Sequence, residues 1–302
     1  MLKFVKRYSC TFVLAMTSVL LLSVSSKAYP CSSCGSGAAD PVILNPMENQ
    51  KFYLDIAQQS NFKDVDSEGD VRRDLGPEKK MQMQMAFAQR ITERLFGSLV
   101  SGVGRNARGS RQATGILDTS LNLRYNLMNQ TMLNPYLPQV QVMLSHRLKT
   151  TRSVQDARKE NYLDSFGTGY SESFYGVDAW FGMLPVMFGG SILRSAPWAA
   201  DTKSGRLLPG PVQKEIVSIG FMVTPEVKIM GGAVRERRAT IRLNGSELRN
   251  SDRTSHDLYG TLETSLLGVD NYRVTLSKRA AFATNKNTTE LVSLTLAWMR
   301  TL

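Results

Sequence analysis

Polar and apolar residues alternate along much of this chain, and the alternation runs over long segments. Between Thr114 and Leu127, Leu117, Leu121, Leu123, Tyr125 and Leu127 fall on one face. Asp118, Ser120, Asn122, Arg124 and Asn126 fall on the other. Successive side chains of a strand point to opposite sides, so the segment has one apolar wall and one wet wall. A soluble sandwich alternates too, but its strands usually run about 5–6 residues, whereas a tilted membrane-spanning strand needs about 9–11. The length favours a closed transmembrane β-barrel, all-β and antiparallel, over a soluble β-rich periplasmic protein, which would come away without detergent.

The same pattern places further strands along the chain. The first covers Lys51 to Phe62, the second Met81 to Phe87 and the third Leu95 to Val103. Thr114 to Leu127 is the fourth, and the fifth starts at Tyr136. The sixth alternates Tyr175, Val177, Ala179, Phe181 and Met183 against Glu172, Gly176, Asp178 and Gly182. Pro185 marks a tight connection to an irregular seventh. Later strands centre on Val217–Val223, the stretch up to Ala239, Leu258–Leu266, Tyr272–Leu276 and Val292–Leu302. The total is about twelve, within a range of roughly ten to fourteen, and bacterial barrels carry an even number. Connections alternate in length. Lys63 to Lys80, Gly104 to Arg111, Thr150 to Tyr170, Ser195 to Pro211 and the stretch through Asn250 are long; those at Thr92-Glu93, Met128 to Asn134, Pro185, Pro225-Glu226 and Gly268 to Asn271 are short. Long outer loops and short periplasmic turns are the habit of outer-membrane barrels.

The amino terminus reads as an export signal. Lys3, Lys6 and Arg7 precede an apolar run from Thr11 to Val24, and Ser26-Lys27-Ala28 fits a small-x-small cleavage site. Residues 1–28 are therefore the expected signal peptide, 29–50 a periplasmic segment and 51–302 the barrel. The signal carries four basic residues and no acidic one, so the formal charge of +11 falls to +7 on cleavage. A basic surplus suits an anion-preferring lumen or contact with lipopolysaccharide phosphates, or else charged loops with no specific partner. An exported chain without a nucleic-acid-binding motif is not expected to bind nucleic acid.

In its strands and loop rhythm the chain resembles Gram-negative outer-membrane barrels of the porin-like, small-solute channel type over residues 51–302. By residue type the nearest analogues are twelve-stranded channels for acidic saccharides or nucleosides. The resemblance implies an outer-membrane location, contact with membrane lipid and lipopolysaccharide, insertion by the barrel-assembly machinery, and passive transport with no cofactor. Many such proteins end in an aromatic residue that this machinery reads; this chain ends in Leu302, with Trp298 on the same face.

Candidate chemistry is sparse. Cys31 and Cys34 stand two residues apart in an exported chain, which favours a small disulfide ring. Gly35 stands where haem attachment needs His, and zinc would lack further ligands nearby. A transient redox or copper contact is the alternative. Gly35, Gly37, Asp40 and Pro41 suggest a tight turn that anchors or plugs the periplasmic mouth. His146 and His256 both fall near outer loops. A hydrolase would need a His–Ser pair with a third orienting group, or acidic partners such as Asp252 and Asp257, and neither sequence context resembles one. The expectation is not an enzyme, and no metal site. Met81, Met83 and Met85 face lipid, since methionines on an apolar wall cannot meet a hydrated copper ion. Tyr125, Tyr136, Tyr175, Tyr272 and Trp298 on the outward faces suit interfacial belts.

The wet wall carries the candidate selectivity residues: Arg124, Arg147, Lys149, Lys214, Arg273 and Arg279, with Asp118, Asp178 and Glu263. Rings of charge in a narrow lumen select ions by sign. Alternatively, the charges pair with each other and fill the lumen. The function expected is a channel that passes small polar or anionic solutes by diffusion. Its alternative is a non-conducting barrel serving as a structural, adhesin or partner-binding module through loops 63–80, 150–170 and 240–256.

Overall fold

The structure, a computed structural model, describes residues 42–44, 48–72, 78–130, 137–152, 157–158, 163–266 and 269–302. Twelve strands form the barrel: β1 Gln50–Val65, β2 Glu78–Arg90, β3 Leu95–Arg108, β4 Ser120–Met128, β5 Gln139–Arg147, β6 Glu172–Met183, β7 Val186–Pro197, β8 Val212–Met222, β9 Val227–Arg238, β10 Arg253–Leu266, β11 Asp270–Arg279 and β12 Thr288–Thr301. Each pairs antiparallel with its chain neighbour. β12 returns to β1, from Lys51↔Thr301 to Val65↔Thr288, and closes the ring. Closure leaves no strand edge, the condition for putting backbone into lipid.

The alternation read from the sequence becomes a two-sided wall. Met81, Met83 and Met85 of β2 point outward and are exposed, as are Leu121 and Leu123 of β4, Val217 and Ile219 of β8, and Leu294 and Leu296 of β12. Val217 and Ile219 are each 62% exposed. An apolar band of this extent around a whole barrel is a surface for lipid, since soluble monomers rarely expose large contiguous apolar patches. Tyr125, Tyr175 and Tyr272 are exposed on the same face. Trp298 packs edge-on against Phe52 and donates Nε1–H to Asp270 Oδ1 at 3.0 Å, near the end of the wall that carries the short turns. Tyr136, Cys31, Cys34 and the signal segment lie outside the described residues.

Two stretches differ from the alternation. Thr114 to Leu127 is not one strand. Arg111–Ile116 pairs with the outer end of β3, and β4 begins only at Ser120. Val103 faces Ile116 but Val100 faces Ser120, so the second strand carries one extra residue, a bulge. The extra residue reverses the phase. Leu117, on the outward face in the sequence pattern, is buried and lines the lumen. Gly104 to Arg111, a loop by composition, is strand as far as Arg108 and turns at Gly109, whose φ of +59° is the left-handed region glycine tolerates. The inner face of this hairpin, at Asn106 and Ala113, is covered by the connection from β5 to β6 through largely polar contacts, so the apolar alternation carries little signal there.

The remaining long connections also hold structure. Ala200–Thr202 and Gly205–Leu208 form a small hairpin that joins Arg242–Leu243 and Ser246–Glu247 in a separate sheet over the outer end.

Candidate functional site

The lumen is filled unevenly. On the side of β12, β1, β2 and β3, the inner half is apolar: Tyr53, Ala86, Ala88, Phe96, Val100, Ala297 and Met299 all point in. Into this niche comes the chain's own Val42-Ile43-Leu44, buried to 0–2% exposure among them. Lys51, itself buried, holds the segment by donating Nζ–H to Ile43 O at 3.0 Å and pairing with Glu48 at 2.6 Å. The sequence places 29–50 in the periplasm; these three residues of it lie inside the barrel. A run of three apolar residues in a Gly/Pro-rich tail was the one local signal for this.

Ion pairs occupy other parts of the lumen. Arg124 of β4 pairs with Asp178 of β6, both 1% exposed, and donates to Gln141 Oε1 at 3.3 Å. Ser98, Asn122 and Ser145 form a hydrogen-bonded ladder beside them, at 3.0 and 2.5 Å. Arg273 of β11 gives Glu263 of β10 two hydrogen bonds, at 2.7 and 2.9 Å, and Lys228 stands 3.9 Å from the same carboxylate. Such pairs offset the cost of burying each charge.

Beside the apolar niche the lumen keeps a cavity of about 560 Å³, in the size range of small-molecule sites, which reaches from Tyr53, Arg273 and Ala297 near the inner end to Arg147 and Lys214 at the outer end. Arg147, Lys214, Arg273 and Arg279 reach it, with Asp55, Asp118 and Asp257. Arg147, Lys214 and Arg279 come from β5, β8 and β11 of a ring of twelve, so Arg147 and Arg279 face each other across the lumen with Lys214 midway between them on one side. Arg147 also pairs with Glu172 at 3.4 Å, and Arg279 with Asp257 at 3.6 Å. Lys149 lies past the end of β5, exposed at the mouth. Of the nine charged residues singled out by sequence, Arg147, Lys214, Arg279, Arg273 and Asp118 share the cavity. Arg124, Asp178 and Glu263 are locked in pairs outside it.

The connection from β5 to β6 folds in over this cavity. Phe166, Gly167 and Thr168 line it, and Leu163 and Tyr170 are buried. Asp118 holds the loop. It accepts from Thr168 N at 2.6 Å, Thr168 Oγ1 at 3.0 Å and Thr151 Oγ1 at 2.5 Å. Asn106 donates to Leu163 O and Ser165 O at 3.0 and 3.2 Å. Phe166 lies against Gly104 and Gly115, and a Cβ at Gly115 would sit 2.3 Å from its ring. Arg238 donates to the Tyr170 hydroxyl and stands 3.7 Å from Glu172, which also accepts from Ser195 Oγ at 2.6 Å. Burial pushes the Tyr170 phenol up, with the Arg238 charge pulling the other way. Replacing Asp118 by Ala removes all three of its contacts with the loop. We expect D118A to make the β5–β6 loop open to protease on intact cells and to add flicker to single-channel currents, while barrel stability changes little.

His146 and Ser173 do meet, Nδ1 to Oγ at 2.9 Å, on the outward face near the outer rim, and Trp198 Nε1 donates to the same hydroxyl at 3.3 Å. No carboxylate or amide orients the imidazole in the described hydrogen bonds, so the group reads as an interfacial polar cluster. Among the described residues no cluster of three or more His, Cys, Asp or Glu is placed to hold a metal ion.

No protein-family model matches the chain, and no curated protein is similar to it in sequence. Solved structures are similar in shape. An outer membrane channel from Pseudomonas putida F1 superposes with a TM-score of 0.70 at 11% identity, covering 87% of this chain and 98% of that one. The translocator domain of the autotransporter NalP from Neisseria meningitidis gives 0.46 at 9% identity, over 88% and 92% of the two chains. The KdgM porin gives 0.45 at 6%, over 83% and 99%. With its closed ring of twelve strands and lipid-suited outer band, the chain has the fold of the Gram-negative outer-membrane β-barrels.

Proposed function

We propose that this chain is an outer-membrane channel that passes small polar or anionic solutes by diffusion, with Arg147, Lys214 and Arg279 biasing passage toward anions. The observation that carries the reading is the cavity in the lumen, into whose outer end these three cations reach from separate strands. Charge focused in a narrow, low-dielectric passage concentrates solutes of opposite sign. Arg124 and Arg273 are poorer filter candidates, because each is itself buried against its carboxylate, at 1% and 8% exposure, whereas Arg147 and Arg279 stay about one-third exposed. The P. putida protein is described as an outer membrane channel, which agrees with the reading at the level of fold.

The test is planar-bilayer recording of the refolded chain under a salt gradient. Stepwise currents with an anion-favouring reversal potential are expected, and K214Q and R279Q should each move that potential toward the cation side. Currents whose ion preference is the same in both variants would remove these residues from the filter.

A second reading, a barrel sealed at rest, is favoured by Val42–Leu44 in the inner half of the lumen and by the paired charges. Insertion without current would select it.

A further inference from the structure

The outer wall has a feature that the lumen does not use. At the outer end of β7–β10, outward-facing positions turn from apolar to cationic. Gln213 of β8 is the direct cross-strand partner of both Arg194 and Arg237. One row closer to the membrane, Arg235 is the partner of both Glu215 and His256. Arg194 and Arg237 are exposed. Arg235 is tied to Glu215 at 3.4 Å, but its Nε and the Nδ1 of His256 have no hydrogen-bond partner, so the cluster is not satisfied internally. Immediately below come Ile192, Val217, Ile219 and Leu258, all exposed on the lipid-facing wall. At the other end of the same strands the outward side chains are Phe221, Val227 and Leu266, with no cation among them. On these four strands the cationic rim is therefore confined to the end that carries the long loops.

We propose that this rim binds the phosphorylated headgroup of an outer-leaflet lipid, whose acyl chains lie along Ile192, Val217, Ile219 and Leu258. Two arginines flanking a glutamine offer forked N–H donors that suit phosphate oxygens, and the apolar surface below fits hydrocarbon in the same molecule. A free anion would use only the upper half of the site; a zwitterionic lipid brings a single phosphodiester charge already balanced by its own ammonium. The inference needs the barrel to span the membrane with its long loops outward, and is independent of whether the lumen conducts.

The full chain, refolded in detergent, is titrated with the diphosphorylated glucosamine lipid lipid A, with phosphatidylethanolamine and with inorganic phosphate, and the unfolding temperature is read. Lipid A should raise it for the wild type, and the other two should not. In R194Q/R237Q the concentration of lipid A needed for the same rise should increase about tenfold or more, the loss of charge-assisted hydrogen bonds to phosphate. R242Q, which removes a cation from the loop sheet instead, should respond as the wild type does. Equal responses in wild type and R194Q/R237Q would overturn the proposal, as would a rise with phosphatidylethanolamine or inorganic phosphate as large as that with lipid A. R194Q alone, at an exposed position, provides the comparison if the double variant does not refold.

Discussion

Replacing Asp178 by Ala should destabilise the barrel by about 3–5 kcal/mol, the range for removing one partner of a buried ion pair. Arg124 would keep its charge at 1% exposure against the neutral Gln141 Oε1 at 3.3 Å and the Met143 sulfur at 3.7 Å, without the Asp178 carboxylate. Its guanidinium cannot shed a proton to escape, since its charge persists across the accessible pH range. The double variant R124L/D178L removes both charges and should recover most of the loss, because apolar replacement of a whole buried pair is often near neutral. Urea unfolding from detergent, followed by the gel-mobility difference between folded and unfolded barrel, reads all three proteins. If D178A were as stable as the wild type, Arg124 would have another partner or solvent access.

The largest change in current should come from the inner half of the lumen. Val42, Ile43 and Leu44 are held there by apolar contact and by the Lys51 hydrogen bond to Ile43 O. I43D/L44D would place two carboxylates against Tyr53, Ala88, Phe96 and Met299, with Lys51 already paired to Glu48. Burying an unpaired carboxylate costs far more than three apolar residues contribute, so the segment should leave the niche. Single-channel conductance is expected to rise severalfold. A sealed barrel would become conducting, and a channel already open beside the segment would widen. Unchanged conductance in a folded I43D/L44D protein would mean that the segment does not obstruct the path.

How far the sequence revealed this protein depended on whether two environments differed across the strand. Within the membrane span they do: lipid on one side and a polar lumen on the other wrote the alternation of Met81, Met83 and Met85, or of Val140, Val142 and Leu144, directly into the chain. Where one side is wet and the other meets a polar loop, as in the hairpin from Arg105 to Gln112, the alternation fades and a paired strand looks like a loop. The bulge before Ser120 was hidden for a different reason. One added residue leaves the residue types unchanged and only reverses their phase, so Leu117 looked lipid-facing.

The site was partly legible. Inward charges were identifiable one strand at a time, but which of them would pair depends on register between strands. Arg124 and Asp178 are 54 residues apart, on strands separated by β5. Glu263 and Arg273 are direct cross-strand partners, a relation fixed by the turn between β10 and β11. The inward fold of the β5–β6 loop rests on Asp118 meeting Thr151 and Thr168, which no local pattern encodes.

The seam between β1 and β12 differs from the other junctions of the ring in time rather than in bonding. Its ladder, from Lys51↔Thr301 to Val65↔Thr288, is as long as those within hairpins, yet it joins the two ends of the barrel sequence. Neighbouring hairpins can form as soon as their own residues are present, whereas this junction waits for the last strand and carries the entropy of closing almost the whole chain. Until it forms, the growing sheet keeps two raw edges, each a row of unsatisfied amides that hydrocarbon cannot solvate. Sealing the wall is therefore the one pairing of the ring that needs both ends of the barrel sequence at once.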